Sequence, residues 1–154
     1  MKVCVLGIGS PSGDDQAGWL VVDALLAEGV QPDAHVRIEK LDRPGASLLA
    51  QMDDVAWLIL VDAMQGGGEA GHVRHFDRHD WLHYGQGLSS HGFGVLDALA
   101  LAQALDRLPP RIDLYGIELA TLQPVSEASA VIHAATRRLA HRIATQLKQA
   151  AQAL

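Results

Sequence analysis

Residues 57–62 read Trp57-Leu58-Ile59-Leu60-Val61-Asp62, which is five apolar residues in succession followed by one carboxylate. A continuous apolar run of this length is typical of a strand that is buried on both faces of a parallel sheet. We therefore predict that this strand is central and terminates at Asp62. An ionised carboxylate at that depth is costly unless it is hydrogen-bonded, protonated or bound to a metal, so Asp62 is a candidate functional residue. A cap on the following loop is the alternative role.

Hydrophobic spacing on either side of this run predicts the remaining elements. Strands are expected at residues 2–6, 35–40, 72–76 and 112–117, the third of these as an edge strand and the last closing the sheet. Helices are expected between Trp19 and Leu26, briefly at 46–52, at 93–108 and at 128–154. Alternating strands and helices imply right-handed crossovers, so the predicted fold class is α/β, with residues 1–154 as a single domain. The sheet is expected to be twisted and mostly parallel, with helices on both faces in a three-layer sandwich.

Composition and charge exclude several classes of protein. Hydrophobic residues make up 49% of the chain and charged residues 19%, which excludes an intrinsically disordered polymer. The formal charge of −6 and scattered basic residues provide no footprint for nucleic acid. No apolar run approaches the roughly 18 residues that a membrane span needs, and no signal peptide pattern opens the chain. With a single cysteine, Cys4, inside an apolar strand, we expect a cytoplasmic protein with no internal disulfide.

The loop after the first strand is rich in glycine and ends in two acids; it reads Gly7-Ile8-Gly9-Ser10-Pro11-Ser12-Gly13-Asp14-Asp15. A dinucleotide-binding loop requires the order G-x-G-x-x-G, but Ser12 stands at the third glycine position. Asp14 and Asp15 would also repel phosphate at the helix N-terminus that should attract it. The nucleotide interpretation is therefore weak. At least one of the two aspartates is expected to cap the helix, which leaves the other available for a site.

Three polar residues are predicted to meet at one edge of the sheet. Asp15 follows the first strand, Asp62 ends the central strand, and His91 follows Ser89-Ser90 at the start of a predicted helix. Two carboxylates and an imidazole would suit a borderline divalent ion such as nickel or zinc. An ordinary surface histidine is the alternative for His91. A rival histidine cluster consists of His72, His75, His79 and His83, and Gly85 and Gly87 favour a solvated loop there instead of a helical metal stripe.

Four separated motifs resemble those of the hydrogenase maturation proteases, over about residues 2–135. They are Gly7-Ile8-Gly9-Ser10 with Asp14-Asp15 and Gly18, then Leu60-Val61-Asp62-Ala63, Ser89-Ser90-His91-Gly92 and Gly116-Ile117-Glu118. In that family a first-loop acid, a strand-end aspartate and a histidine contact the metal, and these match Asp15, Asp62 and His91. The family fold, a twisted sheet of about five strands between helices, agrees with the pattern above. The chain departs from the family pattern at Ser10, where asparagine is usual.

The resemblance implies an endopeptidase that removes the C-terminal extension of a nickel-iron hydrogenase large-subunit precursor after nickel insertion. It further implies that the substrate supplies the nickel, that the resting enzyme is metal-free, and that a monomer meets the precursor transiently. No G-x-S-x-G elbow or H-E-x-x-H motif assigns a catalytic residue. The alternatives are a non-catalytic nickel-sensing chaperone or docking module and a small nucleotide-binding α/β domain.

Overall fold

A computed structural model of the chain describes residues 2–80, 94–120 and 127–153. Its strands are β1 (Val3–Gly9), β2 (Val36–Asp42), β3 (Trp57–Met64), β4 (Val73–Asp77) and β5 (Arg111–Glu118). They form one five-stranded sheet in the order β2-β1-β3-β5-β4, in which β4 is antiparallel to β5 and the other pairs are parallel. The predicted α/β fold, the mostly parallel sheet and the central place of β3 are confirmed.

Helices cover both faces of this sheet. The α-helices are α1 (Ala17–Ala27), α2 (Val95–Ala104) and α3 (Ala130–Gln152), and 3-10 helices span Gly13–Gln16 and Gly45–Met52. One core cluster lies between the sheet and the pair α1 and α3, and the other lies between the sheet and α2 with the second 3-10 helix. No helix in the described part of the chain is long and apolar enough to cross a bilayer.

The apolar run of β3 is continuous because each side chain meets a core. Trp57, Ile59 and Val61 belong to the cluster under α1 and α3, whereas Leu58 and Leu60 belong to the cluster on the α2 face. All five are at most 1% exposed. Burial on both faces removes the polar alternation that a half-exposed strand would show.

Three predicted elements differ from the structure. β3 does not end at Asp62 but continues to Met64, because its last residues pair with β5 as far as Glu118. β5 does not close the sheet but lies inside it, whereas the edge position predicted for residues 72–76 is confirmed for the antiparallel β4. The helix expected at 93–108 is shorter, since α2 ends at Ala104 and Asp106 takes a left-handed backbone with φ 56°.

A buried polar network stands at the amino end of β3, beneath α3. The carboxylate of Asp113 accepts hydrogen bonds from Trp57 Nε1 at 2.7 Å, His75 Nε2 at 2.6 Å and Arg111 Nε at 3.1 Å. The His75 ring stacks on Tyr115 with 4.7 Å between centroids. Burial by itself raises the pKa of Asp113, but the bonds from His75 and Trp57 and the charge of Arg111 outweigh it, so that pKa lies below its ordinary value.

We expect Asp113→Asn to lower the free energy of unfolding at pH 7 by about 2–3 kcal/mol, because an amide cannot accept from all of these donors. The folded pKa of Asp113 is depressed, so its stabilisation is present above about pH 4 and is lost as the pH falls through the folded value. Urea unfolding curves at pH 7 and pH 3 check both statements. The control Asp23→Asn removes an exposed ion pair with Lys40 and should cost no more than about 1 kcal/mol. Equal losses in the two variants would contradict the assignment.

Candidate active site

One glycine in β1 and one in α1 allow this helix to pack directly on the sheet. A Cβ on Gly18 would lie 2.3 Å from the carbonyl oxygen of Ile8 and 2.6 Å from that of Val61. A Cβ on Gly7 would lie 2.2 Å from the carbonyl oxygen of Gly18. These distances are far below van der Waals contact with main-chain atoms that cannot easily move, so helix packing accounts for both glycines without a bound phosphate.

The same close packing fixes the backbone of Asp15 at the carboxyl end of β1. Its carbonyl oxygen accepts a hydrogen bond from the N–H of Ser10 at 3.2 Å, and its own N–H donates to the carbonyl oxygen of Ser12 at 3.0 Å. A Cβ on Gly9 would stand only 2.4 Å from the Asp15 carbonyl oxygen. Asp15 is thus held against the sheet by main-chain contacts, with its side chain partly buried.

Asp14 has a structural role. Its carboxylate is 1% exposed and accepts hydrogen bonds from the N–H of Ala120 at 2.9 Å and from Ser129 N–H at 2.8 Å and Oγ at 3.0 Å. These bonds tie the first loop to the end of β5 and the start of α3. The prediction that an aspartate caps the first helix is therefore wrong, since neither helix there receives a side-chain cap bond. The expectation that one acid remains for a site agrees with the structure.

Asp62 and Asp15 lie together at the carboxyl edge of the sheet. Asp62 stands in β3 opposite Gly116 of β5, and its side chain is partly buried. Burial raises the pKa of Asp62 well above its ordinary value, and the negative charge of Asp15 raises it further, although a hydrogen bond from the Ala63 N–H acts in the opposite direction. Two of the three predicted ligands therefore lie close enough for their charges to interact unfavourably.

The third predicted ligand, His91, lies outside the described residues. Beyond the end of the helix that follows it, Arg107 donates a hydrogen bond to Asp53 at 2.7 Å, near the start of β3. Among the residues that the structure describes, no three His, Cys, Asp or Glu side chains are grouped to hold a metal. The trio thus stays a prediction.

An ion pair between Glu118 and Arg74 lies at this edge, and neither residue is among the predicted site residues. Glu118 ends β5 and is 2% exposed, and its Oε1 lies 3.2 Å from Arg74 Nε on β4. Its Oε2 accepts a hydrogen bond from the N–H of Gly66 at 3.0 Å. The sequence does contain a signal for Glu118. It is a carboxylate at the end of an apolar strand, which is the same feature that makes Asp62 a candidate.

Comparison with known proteins gives the chain its family. The family model described as hydrogenase maturation protease matches residues 43–146. This chain belongs to the hydrogenase maturation protease family.

Solved structures of maturation proteases share this fold. The hydrogenase maturating endopeptidase HybD from Escherichia coli aligns with TM-score 0.84 and 23% identity over 97% of this chain and 94% of that one. The [NiFe] hydrogenase maturation protease HycI from Thermococcus kodakarensis aligns with TM-score 0.76 and 25% identity over 96% of this chain and 92% of that one. HybD from Thermococcus kodakarensis gives a TM-score of 0.73 and 24% identity over 96% and 99%. No curated protein sequence matches the chain significantly.

Two other candidate chemistries do not fit this maturation protease. Cys4 is 1% exposed in β1, and burial raises the pKa of its thiol although Arg37 donates to the sulfur at 3.1 Å, so a reactive thiolate is disfavoured. The helical histidine stripe is wrong for the described part of the segment, because His75 lies in β4 and its ring is bonded to Asp113. His83 lies outside the described residues.

We expect the neighbouring acids to respond differently to the same substitution. Asp14→Asn should lower the free energy of unfolding by about 2–4 kcal/mol, because it weakens buried, charge-assisted hydrogen bonds to Ala120 and Ser129. Asp15→Asn should leave stability unchanged or increase it, because the charge beside Asp62 is removed. Urea unfolding at pH 7 measures both variants. A large loss for Asp15→Asn would contradict this division of roles.

Removing the charge of Asp62 should stabilise the protein in the absence of substrate. Asp62→Asn relieves both desolvation of the carboxylate and repulsion by Asp15, and a gain of about 1 kcal/mol would raise the Tm by roughly 2–4 °C. Calorimetry at pH 7 is the measurement. Glu69→Gln is the matched control, since it removes one negative charge from an exposed loop position. A lower Tm for Asp62→Asn than for the control would show that the ionised carboxylate stabilises the fold.

Proposed function

We propose that this protein is the endopeptidase that removes the C-terminal extension of a nickel-iron hydrogenase large-subunit precursor after nickel has been inserted. The proposal rests on membership of the maturation protease family and on one observation in the chain itself. Asp15 and Asp62 are held together at the carboxyl edge of the sheet although the charge of one raises the pKa of the other. A divalent cation between the two carboxylates would attract both of them and offset their mutual repulsion.

In this proposal Asp15, Asp62 and His91 contact the nickel that the precursor carries. Carboxylate oxygens and an imidazole nitrogen are suitable ligands for a borderline divalent ion. The nickel belongs to the substrate, so the protein reads whether the metal has been inserted and needs no resident metal of its own. Because nickel binding requires ionised carboxylates, the energetic cost of the free acid pair is recovered only when a loaded precursor docks.

The partner of this protein is, in the proposal, the large-subunit precursor, which a monomer meets transiently in the cytoplasm. The net charge of −6 disfavours a nucleic acid as the partner. The first two glycines of the glycine-rich stretch, which was the argument for a nucleotide ligand, are accounted for by the close packing of Gly7 and Gly9 against main-chain atoms.

Mass spectrometry of the nickel-loaded precursor, incubated with the protein, tests this function. The unmodified protein should release a C-terminal peptide from the nickel-loaded precursor and not from the nickel-free one. Asp15→Ala, Asp62→Ala and His91→Ala should stay folded, with cleavage reduced by at least about 100-fold, because each removes a group that reads the metal.

Two control variants match the tested residue types. Asp42→Ala removes an exposed acid at the end of β2, and His141→Ala removes an exposed histidine of α3 that pairs with Glu28. Both should cleave at the unmodified rate. Cleavage retained in Asp62→Ala and His91→Ala would refute the site. A stable complex with no change in precursor mass would instead favour a nickel-sensing docking module.

A further inference from the structure

An arginine on the edge strand lies on the same face of the sheet as Asp62, two strands away. Arg74 of β4 stands opposite Gly116 of β5, and Gly116 stands opposite Asp62 of β3. Register partners in neighbouring strands project to the same face, and Phe76 and Leu114, one repeat along, both belong to the core on the α2 face. Asp62 and Arg74 therefore share that face, roughly 10 Å apart at Cα across two strand spacings. Gly116 contributes no side chain between them.

A built pocket holds the Arg74 side chain. The buried Glu118 carboxylate lies 3.2 Å from Arg74 Nε, and the carbonyl oxygen of Gly66 lies 3.5 Å from Nη2. A Cβ on Gly66 would stand 2.7 Å from Glu118 Oε1, and one on Gly68 would stand 3.2 Å from Arg74 Nη2. The glycines after β3 thus leave just enough room for the loop to wrap around the ion pair.

Within the described residues, the pocket does not use the full bonding capacity of Arg74. A guanidinium carries five N–H groups, and the contacts with Glu118 and Gly66 involve only Nε and Nη2. Glu118 Oε1, although close to Nε, receives no hydrogen bond from the described residues. The Arg74 side chain is 32% exposed, so part of it is accessible to solvent although Nε is paired with Glu118.

We propose that Arg74 is a substrate-binding residue of the protease, which donates hydrogen bonds to a main-chain carbonyl oxygen of the precursor where its chain passes Asp62. This inference rests on the function proposed above. A carbonyl oxygen is the expected acceptor because every residue of a peptide presents one. An anionic group in the same place would be repelled by Asp15, Asp62 and Glu118. Glu118 is a positioning residue, which orients Arg74 through their ion pair.

Steady-state cleavage of the nickel-loaded precursor over a range of concentrations tests the role of Arg74. Arg74→Gln should lower kcat/KM by about 10- to 100-fold, mainly through a higher KM, because charge-assisted hydrogen bonds to the bound chain are lost. Arg74→Lys should lose less, since it keeps the charge but not the planar donor array. Arg138→Gln, an exposed arginine of α3, is the matched control and should behave as the unmodified protein.

A double variant separates substrate binding from simple neutralisation of Glu118. Glu118→Gln combined with Arg74→Gln leaves no uncompensated buried charge, so its Tm should match that of the unmodified protein more closely than Arg74→Gln does. If Arg74 contacts the precursor, the double variant keeps the raised KM. Restored KM in the double variant, or an unchanged KM in Arg74→Gln, would overturn the inference while cleavage itself persists. Absence of cleavage by the unmodified protein would remove the proposed function and this inference with it.

Discussion

The close approach of α1 to the first and central strands is the constraint from which the site geometry follows. Gly18 packs against the carbonyl oxygens of Ile8 and Val61, and any side chain at this position would prevent so close an approach. Because the helix is pressed onto the sheet there, the loop that precedes it must fold over the carboxyl end of β1. That loop places Asp15 beside Asp62, which follows Val61 directly. The close packing at Gly18 therefore also helps to determine how near the carboxylates of Asp15 and Asp62 lie to each other.

The two edges of the sheet differ in how their polar groups are satisfied. At the amino edge, Asp113 has donors from Trp57, His75 and Arg111, and its pKa is depressed. At the carboxyl edge, the pKa of Asp62 is raised, which means that the folded protein disfavours the charged form of that group. Structural polar networks gain stability from complete pairing, whereas a site that must accept a cation or a substrate keeps part of its bonding capacity for them.

The sequence predicts those parts of the fold that depend on local pattern. The continuous apolar run from Trp57 identifies a doubly buried central strand, and the acid that follows the run, Asp62, lies within the same strand. What local pattern does not contain is long-range pairing. The extension of β3 to Met64 depends on its partner β5, and the role of Asp14 depends on Ser129, more than a hundred residues away. Both acids of the first loop look alike in sequence, and only tertiary contacts distinguish the buried anchor from its partly buried neighbour.

The antiparallel edge strand explains why Arg74 escapes sequence analysis although Asp62 does not. Residues at the carboxyl ends of parallel strands can be predicted to converge from strand order alone. Arg74 instead lies near the beginning of β4, and it reaches the same edge only because β4 reverses direction against β5. The chain changes direction in the connection between Met64 and β4. The glycines of that connection pack against the side chain of Glu118. The glycines of the connection, the antiparallel strand β4 and the buried carboxylate of Glu118 therefore act together, and they hold the Arg74 guanidinium at the edge of the sheet that carries Asp62.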